Sequence, residues 1–179
     1  MTLAPLLLLA SVLASSPAPK ASIPVPVVAP RPEDVGSLDG MMKAWYEIVS
    51  GPPGQPRDWG RDRSLYVPGV RFVSTAFKDG RPTARVMDHQ AYVDANHEAL
   101  IKKGFFETEI HRVTRRYGNI AHVWSTYESR ATEKGPLIAR GINSIELYWD
   151  GARWWIAGAV WFEESPEHPI PAEYLPKGR

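Results

Sequence analysis

Glu109, His111 and Glu128 are the residues whose types and spacing come nearest to a catalytic set in this chain. They flank Gly118-Asn119, a dipeptide suited to the tight turn of a two-stranded hairpin. With that turn at the tip, Arg116 opposes Ala121 and the later pairs follow: Arg115 with His122, Val113 with Trp124, His111 with Thr126, Glu109 with Glu128. Side chains alternate between the two faces of a strand, and these four pairs share one face. Two opposed carboxylates repel each other, which raises the proton affinity of one of them. An imidazole beside them would complete a general acid/base site for moving a proton next to a carbonyl. On an outward face the same residues would simply be solvated, or would border a dimer contact with Trp124.

The opposite face pairs Thr114 with Val123, Arg112 with Ser125 and Ile110 with Tyr127. It is smaller and more apolar, and is therefore the expected inward face. A pocket beneath it would be offered Arg112, Ser125, Tyr127 and, from the next strand, Asn143. Ile145 and Leu147 share the side of Asn143, so its amide needs a hydrogen-bond partner, whether ligand or backbone. Trp45 and Trp161 are candidate pocket walls, with plain core packing as the alternative. Asp94 and His97 stand three apart on a helical stretch and share its face; His89 and His168 read as surface groups.

Other chemistries lack their residues. The chain has no cysteine, which removes disulfides, thiolate catalysis and sulfur-ligated metals. No two histidines stand at i, i+4, and no His/carboxylate trio has a ligand signature, so no metal is expected. Gly51-Pro52-Pro53-Gly54 is stiffened by proline and lacks the Lys-Ser/Thr of a phosphate loop, and Gly-x-Ser-x-Gly is absent. No cofactor is expected. A formal net charge of +1 argues against nucleic acid as a partner. Arg112, Arg115 and Arg116 are a local exception, but alternation divides them between two faces.

The elements that must position these residues are legible in outline. With 179 residues, 44% of them hydrophobic, one domain with a sizeable core is expected. Residues 3–13 are almost wholly apolar, too short to span a bilayer as a helix, and small residues follow. A signal peptide over residues 1–21 is expected, ending at Ala14, Ala18 or Ala21, although no basic residue precedes the apolar run. That implies a secreted or periplasmic location, with no membrane attachment after cleavage. Prolines at 17, 19, 24, 26, 30 and 32 predict an extended, poorly packed linker through residue 33. The folded domain is expected over 34–164, and a Pro-rich tail over 165–179.

Leu38, Met41, Met42, Trp45, Ile48 and Val49 recur at helical steps, with Asp34 or Ser37 as cap. A short second helix is expected over 58–66, strands around 70–76 and 84–87, and a third helix over 89–103 capped by Asp88 and ended at Gly104. The hairpin 105–117/120–131 follows. A second hairpin, 141–149/153–163, turns at Asp150-Gly151.

This layout resembles the nuclear transport factor 2-like superfamily, particularly its secreted and polyketide-cyclase-like (SnoaL type) members. The residues that carry the likeness are Met41, Trp45 and Ile48 of the first helix, Leu65-Tyr66-Val67-Pro68-Gly69-Val70, and Gly118-Asn119-Ile120-Ala121-His122-Val123. Leu147-Tyr148-Trp149-Asp150-Gly151-Ala152-Arg153-Trp154-Trp155-Ile156 completes the pattern, which covers Asp34 to Glu163. The resemblance implies an α+β fold: a cone-shaped, curved antiparallel sheet wrapped around three N-terminal helices, as in a cystatin-like α+β barrel. It also implies a pocket at the open end and homodimers formed through the outer sheet face. The superfamily holds isomerases, dehydratases, cyclases and adaptors, so fold alone does not choose. The expectation is an exported binder of a small organic molecule in an aromatic-lined pocket. The alternatives are a cofactor-independent isomerase, cyclase or dehydratase using a pocket His/carboxylate, and a dimeric protein-interaction module.

Overall fold

The structure is a computed structural model that describes residues 21–177. The expected leader, apart from Ala21, lies outside the described residues. Among the described residues, no helix is long and apolar enough to cross a membrane.

Four helices and six strands follow in the order α1 (Pro32–Val35), α2 (Leu38–Val49), α3 (Trp59–Arg63), β1 (Tyr66–Lys78), β2 (Arg81–Met87), α4 (His89–Lys103), β3 (Phe106–Tyr117), β4 (Ile120–Arg130), β5 (Leu137–Trp149) and β6 (Trp154–Glu163). The strands form one curved sheet ordered β2-β1-β6-β5-β4-β3. The α+β cone is as expected, with two differences in detail. The sheet is mixed rather than purely antiparallel, because β1 runs parallel to β6: the last strand lies between β5 and β1 and meets β1 in the same direction. Among the described residues the α-helices are also four, because the short α1 precedes the three that were expected.

Local chemistry accounts for the helix ends. Ser37 caps α2 by accepting from the Gly40 amide at 3.0 Å, and Asp88 caps α4 by accepting from Ala91 at 2.8 Å; such caps satisfy otherwise orphaned amides. The unforeseen α1 has proline in its first turn and Glu33 and Asp34 behind it, a favourable start for a helix. Arg61 then clasps Asp34 through two 2.7 Å bonds. Gly104 ends α4 at φ 72°, where a Cβ would lie 2.8 Å from the Ala131 carbonyl, so only glycine fits.

Met41, Met42, Leu65, Phe72, Val123, Ile145 and Ile156 are sealed between α2 and the concave sheet face. Full burial of each such side chain contributes roughly 1.5–3 kcal/mol. Buried Arg57 spans the helix layer: it donates to the carbonyls of Val49 (2.8 Å), Gly51 (2.7 Å) and Leu100 (3.1 Å). One side chain thereby fixes the spacing of the C-terminal halves of α2 and α4.

Both terminal segments are more engaged than their prolines suggest. The segment before α1 is extended and largely exposed, and is anchored at Ile23, which donates to Asp94 at 2.8 Å and accepts from Gln90 at 2.9 Å. The polar side of α4 supplies the partners that the strap's own backbone lacks. The tail lies on the outer sheet face, where Tyr174 stacks on Trp124 (4.9 Å between ring centroids) and its carbonyl accepts from Thr126 at 2.6 Å.

Candidate functional site

The inward face is the one carrying Val123, Ser125 and Tyr127, all buried together with Asn143 and Ile145 of β5. The hairpin pairs as expected from the Gly118-Asn119 tip as far as His111 with Thr126. There the register shifts, and Glu109 pairs with Tyr127, Thr108 with Glu128 and Glu107 with Ser129. The expected Glu109/Glu128 pair is therefore corrected. A β-bulge at Ile110 places one extra residue on β3, and an odd insertion exchanges the faces of everything beyond it. The bulge separates the expected trio. Glu109 turns inward, while His111 and Glu128 stay with Thr126 and Thr108 on the outer side. Glu128 binds Arg130 there at 2.8 Å.

Glu109 is held by several donors. Arg112 Nε donates to its two oxygens at 2.9 and 3.0 Å and Nη2 adds a 2.6 Å bond, while Ser125 Oγ also donates to it. Because Ser125 spends its single proton on Glu109, the 2.6 Å contact between Tyr46 and Ser125 has the phenol as donor. Asn143 in turn donates to the Tyr46 oxygen at 3.2 Å. Arg112 and Ser125, expected to face a ligand, are thus committed to Glu109 and do not line the cavity described next.

That cavity, about 280 Å³, opens between α2, α4 and the sheet. Trp45 and Val49 come from α2, Tyr92, Asn96 and Leu100 from α4, and Tyr127, Asn143 and Trp161 from the strands. Trp45, Tyr127, Asn143 and Trp161 were expected at a pocket and stand at this one. Its rings meet at steep angles: Tyr92 and Trp161 at 83° with centroids 6.3 Å apart, Trp45 and Phe72 at 69° and 6.3 Å. They form walls of different orientation rather than a stack.

Glu107, which the sequence reading passed over, also lines the cavity. Ser50 pins its backbone from the end of α2, accepting from the Glu107 amide at 2.9 Å while its own proton goes to the Tyr46 carbonyl at 2.7 Å. Among the described residues no side chain donates to its carboxyl. Burial pushes the carboxyl pKa up to about 8, because an ionised group is costly in a largely apolar wall where no donor replaces its lost hydration. Burial and then the charge of Glu107 raise the phenols of Tyr46 and Tyr127; in Tyr92, burial, Asp62 and Glu107 act in that order. All three stay protonated. The signal that could have exposed Glu107 was Phe105-Phe106 immediately before it, since two aromatics next to a carboxylate suggest a buried stretch.

The helical candidates are not brought together as a pair. Asp94 accepts from Ile23 and Gln90, whereas His97 Nδ1 accepts from Trp59 Nε1 at 2.7 Å. His89, expected at the surface, is buried: its Nε2 contacts Asp62 at 2.8 Å, and Asp62 also accepts from the Tyr66 hydroxyl at 2.9 Å. The Tyr66 ring separates this network from the cavity. Beyond it lies a second groove of about 620 Å³ under Val27 and Val28, with Arg63, Arg71 and Arg153 in its walls. Among the described residues, no group of three or more His, Asp or Glu converges to hold a metal ion.

No family profile and no curated sequence matches the chain. Solved structures do resemble it. A nuclear transport factor 2-like protein of unknown function from Silicibacter pomeroyi aligns over 72% of this chain and 94% of its own, with 12% identity and a TM-score of 0.50. A Novosphingobium aromaticivorans protein provisionally named a scytalone dehydratase aligns over 79% and 91%, with 15% identity and a TM-score of 0.50. From the same organism, the provisionally named beta subunit of an aromatic-ring-hydroxylating dioxygenase aligns over 75% and 95%, again with 15% identity and 0.50. At these identities the likeness establishes the fold, which is the nuclear transport factor 2-like cone.

Proposed function

We propose that this cone binds a small, largely apolar organic molecule in its aromatic cavity, with Glu107 as the polar anchor. The observation that carries the reading is a ligand-sized hollow in which a carboxyl has no protein partner. At about 280 Å³ the hollow lies near the lower end of small-molecule sites, roughly 300–1,000 Å³. Apolar walls supply affinity by removing apolar surface from water, and Glu107 and Asn143 supply orientation. A fold neighbour provisionally named for a dehydratase agrees with an organic ligand without identifying it.

Proton transfer is the second reading, and one observation favours it. A carboxyl with a pKa near 8 is poised to take or give a proton at neutral pH. Glu107 would then abstract a proton from carbon next to a carbonyl, or protonate a leaving hydroxyl. Asn143 and the Tyr127 hydroxyl are the nearby polar groups to steady the developing oxyanion. Export through the leader and pairing of two copies across the outer sheet face, where Val160 is 43% exposed, belong to the same proposal. Cell fractionation and light scattering test these two.

A metabolite panel screened by thermal shift, with wild type and Glu107→Gln in parallel, tests the main reading. Ligands that stabilise the wild type and shift the indole resonances of Trp45 and Trp161 support it. A panel without a single hit at these indoles sinks it. Deuterium incorporation from solvent into a bound ligand, lost in Glu107→Gln, separates turnover from binding alone.

A further inference from the structure

Resting on that reading, we infer that the molecule held in the cone is a cation, a compact ammonium whose positive charge sits against Glu107 between the faces of Trp45, Tyr92 and Trp161. The cavity wall carries two carboxylates, Glu107 and Glu163, and no Lys, Arg or His. A carboxylate or phosphate ligand would enter against those charges with no donor cation to receive it. An ammonium finds a counter-ion that lacks a partner and aromatic faces that attract positive charge through their quadrupoles. Steeply angled rings are suited to this, because they present faces from several directions around one centre rather than around a flat slot.

The neighbouring cations do not alter the balance. On the far side of Glu107 a surface depression holds Lys43, Arg112 and Arg130. Each already has an acidic partner: Lys43 binds Glu47, Arg112 binds Glu109 and Asp39, and Arg130 binds Glu128. Three arginines, Arg63, Arg71 and Arg153, line the other groove beyond Tyr66. Anionic attraction and cationic attraction are thus divided between two hollows, and the aromatic one is acidic.

A pH signature follows. Tyr46 faces Glu107 from α2, Tyr92 from α4 and Tyr127 from β4, and their phenols stay protonated; Glu163 lines the same cavity from β6. Glu107 is therefore the group that must ionise when a cation enters. Below its pKa of about 8 each bound cation displaces one proton. Affinity for a permanently charged ammonium rises about tenfold per pH unit toward that value and levels off above it.

The test uses benzyltrimethylammonium and its neutral isostere neopentylbenzene, titrated into the protein at pH 6, 7 and 8.5 while the Trp45 and Trp161 indole resonances are followed. The expected result is at least tenfold tighter binding of the cation at pH 8.5, a steep loss toward pH 6, and loss of both effects in Glu107→Gln. Trp161→Leu, which keeps the counter-ion but removes one aromatic face, is expected to weaken the cation several-fold and guards against a misfolded first variant. Equal or tighter binding of neopentylbenzene would overturn the cation and leave the cavity reading standing. Indoles that respond to neither probe would also overturn it, and the wider metabolite panel then decides the cavity reading by itself.

Discussion

Glu107 and Glu109 stand two residues apart on one strand, both turned toward the inside of the cone, and they live in opposite circumstances. Glu109 meets the Nε/Nη2 edge of a guanidinium and a serine hydroxyl that is itself aligned by Tyr46 and Asn143. Glu107 meets aromatic rings and a void. A carboxylate given donors on every side becomes a rivet; one deprived of them becomes a group whose charge depends on pH and on what enters. Burial alone does not make a carboxylate reactive. Burial without partners does.

Replacing each carboxylate by glutamine should therefore move stability in opposite directions. Glu107 holds its proton more tightly folded than unfolded, so its contribution is fully present below about pH 4.5 and is lost as pH rises through about 8. At about 1.36 kcal/mol per pH unit the loss is at most about 5 kcal/mol above pH 8. Glu107→Gln should match the wild type near pH 4 and exceed it by up to that amount at pH 9, read by urea unfolding. Wild type and variant with parallel stability profiles would break the contrast.

Glu109→Gln is expected to cost roughly 2–3 kcal/mol at pH 7, somewhat less than the 3–5 kcal/mol of a fully buried pair, because it leaves Arg112 with exposed Asp39 as its remaining acidic partner. A variant as stable as the wild type would mean that the rivet is ornamental. Tyr46→Phe removes the hydroxyl that joins Asn143 to Ser125 and should cost about 1 kcal/mol, with the Glu107 pH profile unchanged; a shifted profile would show that the two carboxylates communicate. Lys43→Ala, which breaks an exposed pair with Glu47, should cost less than about 0.5 kcal/mol. A larger loss would extend the network to the surface of α2.

Much of the frame was readable from residue types. Asp88 and Gly104 bracket α4 because an acceptor side chain caps free amides and glycine alone tolerates the exit angle. Gly118-Asn119 and Asp150-Gly151 bracket hairpins for similar local reasons, and Trp45, Tyr127, Asn143 and Trp161 could be placed at a hollow from helical and two-residue periodicities. The candidate carboxylate site was not readable in this way. In Glu107-Thr108-Glu109-Ile110-His111 polar residues fall on both faces, so alternation does not mark where an extra residue enters. His89 was likewise misplaced, since its partner Asp62 lies on a separate helix.

By itself, the order of residues determined where the chain turns and which stretches wind into helices, because those outcomes depend on neighbours a few positions away; the cone was implied by the resemblance to a family. The tertiary structure alone decided that Ile110 bulges, that Glu107 turns inward, and that no arginine lines the aromatic cavity. Those outcomes depend on what meets across the sheet and under the helices, and a carboxylate's chemistry is set by the charges and donors that surround it in space.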